Sequence, residues 1–194
     1  NLQKMPRDYL KLEKKYKTQI VPELKKEFHL KNEMAVPKMV KVVVNAGIGR
    51  ILMSSAQGKT RDELLGEIKA DFSSIVGQMP LETKARKSIA AFKIREGMTI
   101  GLSATLRGKR MYDFLDRLIN VALPRVRDFR GLNSDSFDEM GNLNIGIKDM
   151  MAFPEVPPTS TRHIFGLQIT VVVDSKSKEQ AVALCRAVGF PLKK

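Results

Sequence analysis

The sequence predicts an α+β fold, a two-layer arrangement in which helices pack on one face of a mostly antiparallel sheet and leave the other face open. Three observations carry that expectation. Thr99 to Arg107 alternates, with Ile100, Leu102, Ala104 and Leu106 on one side and Thr99, Gly101, Ser103, Thr105 and Arg107 on the other. That is the period of a strand with one buried face. Gly108 then turns the chain into a helical pattern in which Met111, Phe114, Leu115, Leu118, Ile119 and Ala122 lie opposite Lys109, Arg110, Asp113, Asp116 and Arg117. Strand and helix patterns follow one another with no linker, repeat or low-complexity stretch, so a single domain over residues 1–194 is expected.

The remaining elements follow in order. From Arg7 to Leu30, Leu10, Tyr16, Ile20, Leu24 and Phe28 recur at helical spacing among Lys and Glu, giving an N-terminal helical segment over about 7–31. Pro22 lacks a backbone donor and is expected to restart that helix rather than sit inside it. Pro37 ends the next loop, and Val-rich Lys38 to Ala46 reads as a strand broken by Gly47 and Gly49. A second helix is expected from about Ser54 to Val76, interrupted near Gly58 and closed by Gly77. Gly77 to Gly97 begins basic and turn-rich, then reads as extended from Ser88 to Arg95. Pro124 is expected to stop the central helix. Arg125 to Gly141 reads as an ordered loop and Asn142 to Ile147 as a short strand. Pro154 to Pro158 marks another loop and Gly166 a break, before a strand from Leu167 to Asp174 and a last helix near Lys178 to Val188.

A chain of 194 residues, 43% apolar, can bury one substantial core. Lys and Arg outnumber Asp and Glu by 34 to 21, a net charge of +13. Such an excess points to a polyanionic partner, because each cation placed on a phosphate releases condensed counterions. The longest apolar runs, such as Ala181 to Cys185, are too short to cross a bilayer, so no membrane is expected among the partners. Asn1 to Arg7 shows no signal-peptide pattern. Cys185 stands alone, which fits a reducing compartment and a soluble intracellular protein. His29 and His163 lie far apart, so neither a metal site nor a cofactor is expected.

Two phosphate-binding patterns fail on a specific residue. Gly47 and Gly49 follow a strand as in a dinucleotide fingerprint, but Leu52 stands at the third glycine position. Gly58, Lys59 and Thr60 resemble the end of a P-loop, yet Met53 occupies the place of its leading Gly. No Ser lies in a nucleophile elbow, and neither His has a Cys or Ser partner at a recognisable spacing. Asp62 and Glu63 beside Arg61 read as a solvated helix face, and Cys185 falls on the apolar stripe Ala181, Leu184, Cys185, Val188. An enzyme is therefore not expected.

Charge is concentrated between Lys84 and Arg110, where Lys84, Arg86, Lys87, Lys93, Arg95, Arg107, Lys109 and Arg110 face the single acid Glu96. Arg107 shares a strand face with Thr105, Ser103 and Thr99, small hydroxyls that let a nucleic-acid backbone or base approach closely. Phe92 among Lys87, Lys93 and Arg95 suits a stacked base as well as it suits a core. Asn45 lies on the same side of its strand as Lys41, where an amide can read a base edge or cap a turn.

The string "KARKSIAAFKIREGMTIGLSATLRGKRMYDFLDRLINVALPRVRDFRGLNSDSFD", Lys84 to Asp138, resembles bacterial-type ribosomal protein five of the large subunit. The resemblance extends through "VPKMVKVVVNAGIG" and "IVGQMP" upstream, and "GNLNIGIKD", "FPE" and "GFP" downstream. It implies a two-layer fold that binds 5S rRNA in the central protuberance, contacts the P-site tRNA elbow through a loop and bridges to a small-subunit head protein. Its other implied partners are 23S-type large-subunit rRNA and neighbouring central-protuberance proteins. By the family pattern the 5S rRNA contacts fall at Asn45, Gln78, Phe92 and Thr105, with Lys93, Arg95 and Arg107 beside them. The tRNA-facing loop falls around Gln78 to Lys87, with Met79, Lys84, Arg86 and Lys87. Gln78 rests on the resemblance alone. Departures stand at Met79, where a basic residue is usual, and at Glu139 and Met140 in place of a Gly-Arg pair. Arg50 to Leu65 reads as longer than usual, and Pro157 to Phe165 is atypical. The pattern suits a bacterial cytoplasm or an organelle. The rival readings are a free RNA chaperone or regulatory RNA-binding module on the same surface, and a P-loop-like hydrolase dependent on Lys59.

Overall fold

Four strands each bury alternate side chains, and that alternation builds the core. β1 (Lys38–Gly47) buries Val42, Val44 and Ala46 in alternation and, nearer its start, Met39 out of step with them, and β3 (Thr99–Leu106) buries Leu102, Ala104 and Leu106. β4 (Leu143–Ile147) buries Leu143, Ile145 and Ile147, and β5 (Leu167–Asp174) buries Leu167, Ile169, Val171 and Val173. With the exposed edge strand β2 (Leu81–Lys84) they form a five-stranded antiparallel sheet in the order β2-β3-β1-β5-β4. The computed structural model describes residues 12–53, 61–127, 129–156 and 164–193. The start of the N-terminal helix, the interruption at Gly58, the Gly58-Lys59-Thr60 motif, His163 and most of the atypical Pro157–Phe165 stretch lie outside those residues.

The chain clusters into two compact units, one within Asn1–Val42, Arg107–Asn144 and Thr170–Lys194, the other within Val43–Leu106 and Ile145–Ile169. The first unit carries most of the helix. α1 (Leu12–Lys15) runs through a π-helical turn, Tyr16–Ile20, into α2 (Val21–Glu27). Its central helix, α5 (Gly108–Arg117), likewise passes through a π-helical turn, Leu118–Ala122, into a short α6 (Leu123–Arg125). Met111, Phe114, Leu115, Leu118 and Ala122 are buried as the stripe predicts, and Ile119 is half-buried. α7 (Lys178–Val188) starts on Ser177, whose side chain accepts from the Gln180 N–H, and buries Ala181, Leu184, Cys185 and Val188.

Pro124 does not stop the helix. It sits in the first turn of α6, just as Pro22 sits in the first turn of α2, and each follows a π-helical turn. The longer turn moves the hydrogen-bond frame, with Val21 N–H donating to Tyr16 O and Leu123 N–H to Leu118 O. Each proline then falls where its missing donor is not needed. Pro22 opens a new α-helical hydrogen-bond frame, but it sits inside one continuous helical path from Leu12 to Glu27, against the expectation that it would not.

In the second unit α3 (Gly49–Met53) begins directly at Gly49, earlier than the expected helix start. α4 (Arg61–Val76) buries Leu64, Ile68, Phe72, Ile75 and Val76, and Gly77 closes it at φ 77°. A 3₁₀ turn at Met150–Ala152, capped by the Asp149 side chain on the Met151 N–H, gave no sequence signal. No helix among the described residues is long and apolar enough to cross a membrane.

Phe72 is fully buried, so Phe72→Ala should cost about 3–5 kcal/mol by urea unfolding; a loss below about 1 kcal/mol contradicts the packing of α4. Burial pushes the Cys185 thiol up to about 12. The native protein should therefore leave Ellman's reagent unreacted at pH 8 and react once unfolded.

Candidate nucleic-acid interface

The parity that buries Val44 and Ala46 turns Asn45 to the opposite side of β1, where it is half-buried. On the neighbouring β3, Ser103 and Thr105 face the same way, and Thr105 is exposed. The β2–β3 register pairs Leu81 with Ser103 and Thr83 with Gly101, bringing Leu81 and Thr83 onto this open side. Gly101 fits there because a Cβ would lie 2.6 Å from Thr83 Oγ1 and 2.9 Å from Ala46 O. Gln78, one residue past the close of α4, donates through Nε2 to Thr105 O at 3.4 Å. Three of the four residues named by resemblance therefore sit on or against one polar patch. Arg107 follows β3 in extended conformation and is exposed.

The open side is not continuous along all of β3. The pairing shifts between Thr83 and Lys84, so that Lys84 faces Thr99 and Ile100 is left as the extra residue of a bulge. Thr99 is thereby moved to the other side, against the expected alternation with Ser103 and Thr105. There Thr99 Oγ1 donates to Glu82 Oε2 at 2.7 Å, Lys69 of α4 donates to Glu82 Oε1, and Arg61 donates to Thr99 O at 3.1 Å. The bond from Lys69, then that from Thr99, holds the Glu82 carboxyl below its ordinary range. The same register puts Lys84 on the Glu82 side rather than beside Ser103, so Lys84 does not join the patch.

Beyond β2 the chain leaves the sheet as a hairpin. Ala85 is buried, its N–H donating to Met98 O at 2.8 Å and its carbonyl accepting from Gly97 N–H at 3.0 Å. Farther out, Ile89 and Ile94 exchange both backbone bonds at 2.9 and 3.1 Å. The tip turns through the 3₁₀ segment Ala90–Phe92, with Lys93 in the left-handed region at φ 52°. Ser88 to Arg95 is thus a folded tip rather than one extended run. Arg86, Lys87, Lys93 and Arg95 are all exposed, and Phe92 is 68% exposed, which removes its core reading. Around the base, Met79 and Leu81 are 71% and 73% exposed. The stretch expected as a loop, Gln78 to Lys87, contains the paired strand β2.

Sequence reasoning missed β2 and its open-side Leu81 and Thr83. Four residues alternating Leu-Glu-Thr-Lys are too short and too polar to stand out from a turn-rich stretch. Among the described residues no group of three or more His, Cys, Asp or Glu could hold a metal ion.

A sheet with one open polar side, extended by a basic, aromatic-tipped hairpin, defines an α+β protein built to lie against a polyanion. Known proteins place it more closely. The ribosomal protein L5 family model matches residues 32–95, and the model of the ribosomal L5 family C-terminus matches residues 99–192. Large ribosomal subunit protein uL5 of Mycoplasma mycoides subsp. mycoides is 50% identical over 184 residues, covering 95% of this chain and 98% of that protein. The uL5 of Thermotoga maritima is 46% identical over 187 residues, covering 96% and 98%. That of Bifidobacterium adolescentis is 48% identical over 183 residues, covering 94% and 93%. The chain belongs to the bacterial-type uL5 family of large-subunit ribosomal proteins, a structural RNA-binding family of translation and not one of enzymes.

The Glu82 clamp gives a local prediction. Glu82→Gln should speed amide exchange at Ala85 and Gly97, the first bonds of the hairpin, while exchange in β1 stays unchanged. Because the folded carboxyl is held low, its contribution is present above the ordinary carboxylate range, about pH 4.3, and is lost as pH falls through the lower folded value. Equal exchange in the variant would remove the clamp.

Proposed function

We propose that the chain is a single 5S rRNA-binding domain of the large subunit, using the open side of its sheet and the 85–98 hairpin in the central protuberance. The observation that carries this reading is the convergence of Asn45, Thr105 and Gln78 on one side, with Gln78 bonded to the Thr105 carbonyl. A phosphate backbone can approach closely over Ser103 and Thr105 because their side chains are small, and their hydroxyls can donate to it. The exposed Phe92 offers a stacking surface for an unpaired base, with Lys93 and Arg95 at hand for the flanking phosphates. In the same reading 23S-type rRNA and neighbouring central-protuberance proteins are further partners.

The turn before β2 faces P-site tRNA in this proposal, with Gln78 and Met79 at the turn and Lys84, Arg86 and Lys87 farther along. Met79 brings thioether contact rather than charge to that surface, so the tRNA contact depends less on salt than one made by a cation. A bridge to a small-subunit head protein completes the proposal, with Glu139 and Met140 altering its charge.

Thr105→Arg places a long side chain where the RNA backbone is to lie. It should abolish 5S rRNA binding in a filter assay with circular dichroism unchanged; a folded variant of unaltered affinity removes the sheet-side assignment. Arg86→Ala should weaken binding to any RNA and reduce the salt slope by about one unit, as expected for one lost phosphate contact.

A further inference from the structure

The open side holds more than the patch around Thr105. Next to Asn45 lies a cleft of about 360 Å³, toward the small end of ligand sites, which span about 300–1,000 Å³. It crosses three neighbouring strands, from Asn45 on β1 to Gln168 on β5 and Gly146 on β4, with Lys148 just beyond β4. Among the described residues no acidic one lines it. Among the described residues no side-chain hydrogen bond engages the Asn45 amide, the Gln168 amide or the Lys148 ammonium. Two amides and a cation thus line one recess without a side-chain hydrogen bond to the described protein, and each can bond a ligand there.

Its glycines add a second, independent observation. A Cβ on Gly146 or Gly47 would meet nothing within 4 Å, and neither residue has positive φ. Among the described residues nothing calls for glycine at either position, in contrast to Gly101, which has no room for a side chain. Glycine weakens a strand interior, and one that internal packing does not require marks a place where something outside approaches closely.

We propose that this cleft receives one unstacked nucleotide of 5S rRNA. Asn45 and Gln168 hydrogen-bond its base edge or 2′-hydroxyl, each amide supplying both a donor and an acceptor. Lys148 meets a flanking phosphate as a point charge. The bare Cα atoms of Gly47 and Gly146 let the ribose lie against the sheet. The identity of the RNA rests on the function proposed above. The cleft extends that binding surface to β4 and β5, which the family pattern at Asn45, Gln78, Phe92 and Thr105 does not reach.

The test uses the full chain, a 5S rRNA transcript, and the variants Gly146→Phe, Gln168→Ala and Lys148→Ala, each checked for folding by thermal unfolding. Base reactivity along the RNA is mapped with and without protein. Wild-type protein should protect one unpaired nucleotide that becomes reactive again with Gly146→Phe and Gln168→Ala, while the rest of the footprint persists. Gly146→Phe should weaken binding tenfold or more, and Lys148→Ala should lower the salt slope by about one. If Gly146→Phe alone fails to fold, Gln168→Ala decides. Folded variants with wild-type affinity and an identical footprint overturn the cleft assignment alone, and so does a variant that keeps its RNA footprint but loses a protein neighbour in the assembled subunit. Absence of 5S rRNA binding by the wild-type chain overturns both this inference and the reading beneath it.

Discussion

A strand can bury only alternate side chains, and in this protein that restriction governs everything that follows. Val42, Val44 and Ala46 of β1 and Leu102, Ala104 and Leu106 of β3 all need cover, and burying them commits the intervening residues to the opposite side. Those residues are Asn45, Ser103 and Thr105, each too polar for a core and too small to obstruct a partner. The same restriction extends to β4 and β5, where Gly146 and Gln168 share the open side because Ile145, Ile147, Leu167 and Ile169 are buried. A slip of one residue in any strand would send amides and hydroxyls into the core, so the apolar set and the proposed binding surface are specified by one pattern.

One irregularity redirects it. The extra residue at Ile100 reverses the alternation at the start of β3, so Thr99 ends up binding Glu82 instead of lining the open side. That exchange ties the edge strand β2 to α4 through Lys69 and Glu82. The hairpin beyond is thereby held at its base by Ala85 and the Glu82 network, while its tip, with Phe92 and four cations, stays exposed. An anchored base with a free tip suits a segment that must reach a partner without costing the core its order.

Long, strongly periodic stretches were legible from the residues alone: β1, β3, β5 and α7 lie within a residue or two of where spacing puts them, and α5 starts at the expected Gly108. The open side was legible in part, since alternation alone selects Asn45 and Thr105. Gln78 was not, because its place depends on a contact with a carbonyl 27 residues away that no local pattern encodes. The prolines misled for a related reason. Pro124 reads as a helix stop until a π-helical turn is known to precede it, and no residue type announces that turn. The tip at Ser88–Arg95 reads as extended because its folding rests on the pairing of Ile89 with Ile94 rather than on propensity.

Which surface of the protein meets RNA is the central question, and oxidative footprinting of the protein bound to 5S rRNA addresses it directly. Met79, Leu81 and Phe92 are exposed around the open side and hairpin, while Met34, Val121 and Met140 are exposed on segments that belong to neither the sheet nor the hairpin and serve as internal references. Hydroxyl-radical labelling should fall at the first three on addition of RNA and stay constant at the others. Protection of Met34, Val121 and Met140 with undiminished labelling of Phe92 and Met79 would contradict an RNA-binding role for the open side.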